Sequence, residues 1–186
     1  MRFFLETKRL ILRSFQNDDL EALIAYRSDP QVARYQGWNA PYARQDAAAF
    51  VDEMCSKQPG VQGEWYQIAV QHQAGGPIVG DCAFHILPQD ARQAEIGFTL
   101  ARQHWGQGYA SEALQALLGY LFDDLNLQRV RAICDVENSA STRVLERAGM
   151  RQEGYFIENI WFKSRWGSEY SYAMLQREWR DQNCDE

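Results

Sequence analysis

The sequence predicts an α/β domain of the α+β kind, with a mixed, mostly antiparallel central sheet and helices on both faces. Three observations carry that expectation. Between Trp65 and Leu100, β-rich runs are separated by turn residues, the pattern of an antiparallel meander. From Tyr109 to Phe122, apolar residues recur at helical spacing. After Val130, strand and helix patterns alternate before two final strands. A chain of 186 residues fits one domain, 1–186, better than two. At that size roughly 70% of the unfolded surface is buried, so no disulfide or metal is needed to hold a core.

Taken in order, Leu10 to Phe15 reads as a first strand, and Asn17-Asp18-Asp19 offers an N-cap for a helix. Leu20, Leu23, Ile24 and Arg27 follow helical spacing until Asp29-Pro30 stops them. Gln36 to Pro41 is a loop. A second helix runs from Arg44 to Lys57, with Ala47, Phe50, Val51 and Met54 on one face. Pro59-Gly60 and Gly63 break the pattern. Trp65 to Gln71 and Ile78 to Ile86 flank the turn Gly75-Gly76-Pro77, and Gln93 to Leu100 adds a third strand. The helix from Tyr109 to Phe122 is the best marked in the chain, through Ala110, Ala113, Leu114, Leu117, Leu118 and Leu121. Val130 to Val136 is a buried strand, capped into the next helix by Asn138 or Ser139. That helix buries Val144, Leu145 and Ala148 and ends on Gly149. Strands near Arg151 to Glu158 and Glu169 to Leu175 follow. No repeat or low-complexity linker interrupts the pattern.

Net charge is −6, from 25 acidic and 19 basic residues, which excludes the basic stripe of a nucleic-acid binder. An acidic surface favours an amine-bearing partner. Cys55, Cys82, Cys134 and Cys184 form no CxxC pair, and His72, His85 and His104 have no zinc-ligand spacing. No metal is expected. The N-terminus turns charged before a signal-peptide core forms, and no apolar run approaches the ~20 residues of a membrane span. The expected setting is cytoplasmic, without a membrane partner.

The chemistry concentrates between Glu95 and Met150. Gly106 and Gly108 let the backbone at Gln103-His104-Trp105-Gly106-Gln107-Gly108 approach a ligand closely, and a helix begins at once. The unpaired N–H groups of its first turn form an anion site. A dinucleotide-binding fingerprint needs a third glycine where Ser111 stands, and no Lys-Ser or Lys-Thr follows as a P-loop requires.

The runs Glu95-Ile96-Gly97-Phe98-Thr99-Leu100 and Gln103 to Ala113, with Asn138-Ser139-Ala140-Ser141 and Gly149-Met150, resemble the GNAT superfamily of acyl-CoA-dependent N-acyltransferases. Gln103 to Gly108 matches its pyrophosphate motif: Gln or Arg, two residues, Gly, any residue, then Gly or Ala. Glu6-Thr7-Lys8-Arg9-Leu10-Ile11-Leu12-Arg13 looks like the opening strand of the branch containing ribosomal-protein N-terminal acetyltransferases. The resemblance extends from Leu10 to about Trp179, and it implies the acyl-CoA N-acyltransferase-like fold with acetyl-CoA as co-substrate.

It also implies a division of labour. The backbone of Phe98, Thr99 and Leu100 would bind the pantetheine arm. N–H groups from Gln103, His104, Trp105, Gly106, Gln107, Gly108, Tyr109 and Ala110 would cradle the pyrophosphate. Asn138 would contact the cofactor's amide or a water, cap its helix, or both. Glu95 is the candidate general base, through a water, against the alternative of a salt-bridged surface residue. Many relatives carry a tyrosine seven residues after the asparagine, and this chain has Leu145 there. Ser141 is the nearest replacement as orienter or proton donor, against the alternative of an ordinary first-turn polar residue. Trp38, Tyr42, Trp65, Tyr66, Trp161 and Trp166 offer an aromatic collar, and His85 either faces the cleft or is structural.

The expected activity is direct acetyl transfer to a primary amine, on a small molecule or a protein N-terminus. The alternatives are a non-catalytic acyl-CoA-binding module and a nucleotide- or protein-binding module. Monomer and homodimer both stay open.

Overall fold

The computed structural model describes residues 2–183, so Cys184 and the extreme ends of the expected 1–186 domain lie outside the described residues. Two short strands open the chain, β1 (Phe4–Glu6) and β2 (Leu10–Arg13). The first is additional to the expected strand. Two helices follow, α1 (Leu20–Arg27) and α2 (Pro30–Ala33). Asp19 precedes α1 but does not cap it; its carboxylate pairs with Arg13 at 2.8 Å and accepts from the Gln16 N–H. The expected stop at Asp29-Pro30 is also a start. Asp29 accepts from the Gln31 N–H at 2.8 Å, and Pro30, which has no N–H to lose, occupies the first turn of α2.

Helix α3 (Arg44–Ser56) leads into β3 (Trp65–His72), β4 (Ile78–Ile86) and β5 (Gln93–Leu100), the expected meander. Helix α4 (Tyr109–Gly119) passes into a π-helical turn, Tyr120–Asp124, where the Leu125 N–H reaches back to the Tyr120 carbonyl. Then come β6 (Arg129–Asp135), α5 (Ser139–Arg147), β7 (Arg151–Phe162), β8 (Arg165–Leu175) and α6 (Gln176–Asn183). The last two strands form a hairpin longer than the sequence pattern suggested.

The eight strands make one sheet, in the order β1-β2-β3-β4-β5-β6-β8-β7. Every neighbouring pair is antiparallel except β5 and β6, which run parallel only from Gln93 to Ile96 against Arg129 to Ala132. Beyond Ile96 the two strands part: β5 stays paired with β4, and β6 with β8. A cleft therefore opens in the middle of the sheet.

On one face Leu114, Leu117, Leu118 and Leu121 are fully buried against strand residues such as Ile68, Phe84 and Val130. Each such side chain contributes about 1.5–3 kcal/mol. The other face is covered over β3 and β4 by α1 and α3, through Leu23, Tyr26, Ala47, Val51 and Met54. No helix among the described residues is long and apolar enough to cross a membrane.

Candidate active site

The glycine loop sits where the cleft meets α4. A 3-10 turn (Arg102–His104) leads to Trp105, whose indole N–H donates to the Leu100 carbonyl at 2.8 Å and ties the loop to the end of β5. Gly106 and Gly108 have φ of +74° and +81°, left-handed conformations that favour glycine. Gly108 occupies the N-cap position of α4 and supplies no side-chain acceptor. The N–H groups of the first turn therefore point outward uncapped, and with the helix dipole they make an anion site.

The residues that open the chain brace this loop. Glu112, in the first turn of α4, accepts from the Thr7 hydroxyl at 2.6 Å, the Arg9 N–H at 2.8 Å and the Arg9 guanidinium at 2.6 Å. Partial burial alone would raise the Glu112 carboxyl, but these donors hold it below the ordinary range. Arg9 also donates to the Gln107 carbonyl at 2.9 Å and lies over the Tyr109 ring at 4.5 Å. The Thr7-Lys8-Arg9 segment, matched in sequence only as an opening strand, thus fixes the loop. Partial burial and the neighbouring His72 push the His104 imidazole down, leaving it neutral at pH 7.

A cavity of about 620 Å³ opens over this loop, within the size range of ligand pockets. Phe98, Thr99, Leu100, His104, Trp105, Gly106, Gly108, Tyr109, Ala110, Asn138 and Ser141 all line it. Gln103 and Gln107 do not; the Gln107 side chain folds back to the Gln103 carbonyl at 2.9 Å. The β5 edge freed by the divergence of β6 supplies strand backbone without a strand partner. An uncapped helix start, a free strand edge and the cations of Arg143 and Arg147 in one cavity fit a phosphorylated cofactor with an amide-bearing arm.

A second cavity of about 180 Å³ adjoins the first. Its walls mix apolar side chains, Ile96, Ala132, Ile133, Leu145, Ile160 and Phe162, with polar ones that include Asp135 and Glu169. Five residues line both cavities: Tyr35, Gln36, Phe98, Asn138 and Ser141. Asn138 caps α5, its side-chain oxygen accepting from the Ser141 N–H at 3.2 Å. The Ser141 hydroxyl makes no hydrogen bond among the described residues. Cys134 also lines the smaller cavity, but burial, with Asp135 and Glu169 nearby, pushes its thiol up to about 12. It is no thiolate nucleophile at neutral pH.

Glu95 lines neither cavity. Its carboxylate accepts from Arg131 at 2.8 and 3.0 Å, and its cross-strand neighbour on β4 is His85. His85 in turn stacks on Trp65 at 5.1 Å. Glu95 shares a sheet face with Gly97, two positions on, which does line the smaller cavity.

None of the six collar aromatics lines either cavity. Trp38 and Tyr42 pack around the buried Arg27, Tyr66 is buried against Ser14, and Trp161 meets Trp166 edge-on at 5.5 Å on an exposed hairpin. The residues that sequence reasoning missed come from α2 and the loop after it, above all Arg34, Tyr35 and Gln36. The Pro30 at the first position of α2 was the available signal.

Across residues 9–151 the chain matches the model of a family described as acetyltransferase (GNAT) domain. It is 36% identical over 173 residues to YnaD, an uncharacterized N-acetyltransferase of Bacillus subtilis (strain 168), covering 93% of this chain and 97% of that protein. It is 33% identical over 175 residues to p20, an uncharacterized N-acetyltransferase of Bacillus licheniformis, covering 94% of this chain and 97% of that one. Among solved structures, it is similar to a GNAT-family acetyltransferase from Bacillus anthracis, with a TM-score of 0.84, 34% identity and coverage of 94% and 99%.

Proposed function

The chain belongs to the GNAT family of N-acetyltransferases, and we propose that it moves an acetyl group from acetyl-CoA directly to a primary amine. The observation that carries this reading is the meeting of the two cavities. The larger has the anion site and open strand edge that a CoA pyrophosphate and pantetheine arm need, and the smaller offers an amine a recess that mixes apolar walls with two carboxylates. The thioester lies at their junction. Direct transfer is supported by the high thiol pKa of Cys134, the cysteine beside the reacting centre.

In this reading the N–H groups of Gly106, Gly108, Tyr109 and Ala110 hold the pyrophosphate. Gln103 and Gln107 stand outside the cavity, and the N–H groups of His104 and Trp105 are already donated to the Ala101 and Arg102 carbonyls. Phe98, Thr99 and Leu100 hold the arm. Asn138 holds the start of α5 in place beside it. Ser141 orients the thioester through its free hydroxyl. Glu95 takes the amine's proton through a water. The mixed walls, apolar side chains with Asp135 and Glu169 beside them, suit an ammonium on an aliphatic or peptide stem, in a small amine or a protein N-terminus. A panel of such amines, scored for release of free coenzyme A, tests the whole reading. Thiol release with none of them, despite acetyl-CoA binding, would leave transfer to amines unsupported.

Two further outcomes follow from the same site and its surroundings. Ser141→Ala should lower kcat about fivefold, the loss of one neutral hydrogen bond, with acetyl-CoA affinity unchanged. Single-turnover rates check this, and a full-rate variant would remove Ser141 from the chemistry. The edge hairpin β7–β8 exposes Tyr155, Phe156, Ile157, Trp161 and Trp166, each at least half exposed. An unpaired edge with such a patch supports a two-fold homodimer. Light scattering should give a dimer mass that Trp161→Glu with Trp166→Glu lowers to monomer; a monomeric wild type would refute it.

A further inference from the structure

The reaction must return a proton to the departing sulfur, and Leu145, which lines the smaller cavity, carries no polar atom to do so. We propose that Tyr35, which lines both cavities at their junction, is the proton donor to the thiol leaving group. This rests on the acetyl-transfer reading above. Of the five residues common to the two cavities, Tyr35 alone bears an ionisable side chain.

Its segment is held from several sides. The Lys163 ammonium, in the turn between β7 and β8, donates to the Ala33 carbonyl at 2.6 Å and the Trp38 carbonyl at 2.8 Å. It thus grips both ends of the stretch that carries Tyr35. The phenol donates to the Glu137 carbonyl at 3.2 Å, immediately before Asn138. The Glu137 carboxylate in turn accepts from Arg165 at 3.0 and 3.2 Å and from Arg34 at 3.1 Å. A rotation about the phenol C–O bond redirects the hydroxyl without moving the backbone.

The electrostatics suit the task. Partial burial raises the Tyr35 phenol above its ordinary range, so it is protonated throughout the neutral region. Around the ring, Arg34, 5.0 Å from the centroid, and Arg165 favour a phenolate, while Asp135 and Glu137 disfavour it and keep the phenol protonated. The atoms balance. The amine lone pair forms the C–N bond and the C–S bond breaks with its electrons on sulfur. The phenol proton goes to sulfur. The proton lost from nitrogen passes through a water to Glu95, and the phenolate recovers one from solvent. An acetamide and a free thiol result.

Tyr35→Phe should lower kcat about tenfold, with the acetyl-CoA Kd by calorimetry within twofold of wild type. The effect is below the usual range for acid catalysis, because a thiol with pKa ~8.5 is already a fair leaving group. The pH profile separates chemistry from packing. Wild-type kcat should fall at alkaline pH as the phenol ionises, 3-fluorotyrosine at position 35 should move that limb to lower pH, and Tyr35→Phe should lack it. Full-rate Tyr35→Phe beside an active wild type would overturn Tyr35 alone, as would an alkaline limb that persists in the Phe variant. A drop traced entirely to weaker acetyl-CoA binding would overturn it too. A wild type that binds acetyl-CoA yet acetylates no amine would overturn both this role and the transfer reading.

Discussion

Gly108→Glu is expected to weaken acetyl-CoA binding by well over tenfold while the domain keeps its fold. Gly108 is the N-cap of α4 at φ +81°, and its added Cβ would lie 3.3 Å from the Arg9 guanidinium. The left-handed conformation alone costs an L-residue about 1–2 kcal/mol. That strain is local, at a loop position whose neighbour Arg9 is a flexible side chain, so circular dichroism should stay native. The carboxylate is the larger problem for the ligand. It occupies the mouth of the uncapped first turn, where the dipole favours one anion and a second is repelled. It also competes for Arg9, which now braces Gln107 and Glu112. Gly108→Ala separates the two effects: it should lower stability but bind acetyl-CoA far better than the Glu variant. Calorimetric titration checks both. Unchanged affinity in a folded Gly108→Glu protein would remove the pyrophosphate from this loop.

How much of this was legible in the sequence depends on how local each cause is. The α4 stripe is local, so Leu114, Leu117, Leu118 and Leu121 announced a buried helix face. The glycine loop is local too, because two left-handed positions next to a helix start are written in adjacent residues. The meander was readable through its Gly75-Gly76-Pro77 turn. By contrast, β1 is three residues long and half exposed, with no period to detect. The β7–β8 hairpin extends to Phe162 and Arg165 through mostly exposed residues, which blurs the alternation that marks a half-buried strand. Helix α2 hid behind a proline that both ends one helix and begins the next. The junction of the cavities was illegible for a different reason. Tyr35 meets Glu137 across 102 residues, and Lys163 meets Ala33 across 130. No spacing rule spans such distances; only the folded placement of α2, the turn before α5 and the β7–β8 turn brings these side chains together.

Glu95→Gln should lower kcat/KM by about a hundredfold, and the loss should shrink as pH rises. An alkylammonium titrates near pKa ~10.4, so at neutral pH the acceptor arrives protonated and needs a base. Glu95 has the position for one at second hand. It shares a sheet face with Gly97, which lines the smaller cavity, and because Glu95 itself lines neither cavity the role calls for relay through water rather than contact. Its ion pair with Arg131, the residue opposite it on β6, holds the carboxylate in place at 2.8 Å. A glutamine amide in its place would keep the shape but could not take a proton. At high pH the amine is already free, and the variant should approach wild type. The Arg131 pair supplies the competing explanation, that Glu95 is structural. Arg131→Gln discriminates: it breaks the pair yet leaves a carboxylate, so a structural role predicts that both variants fail alike, with lowered thermal stability. A base role predicts that Arg131→Gln retains far more activity than Glu95→Gln across pH 6 to 9. Glu95→Gln within twofold of wild type over that range would assign proton removal to another group or to bulk water.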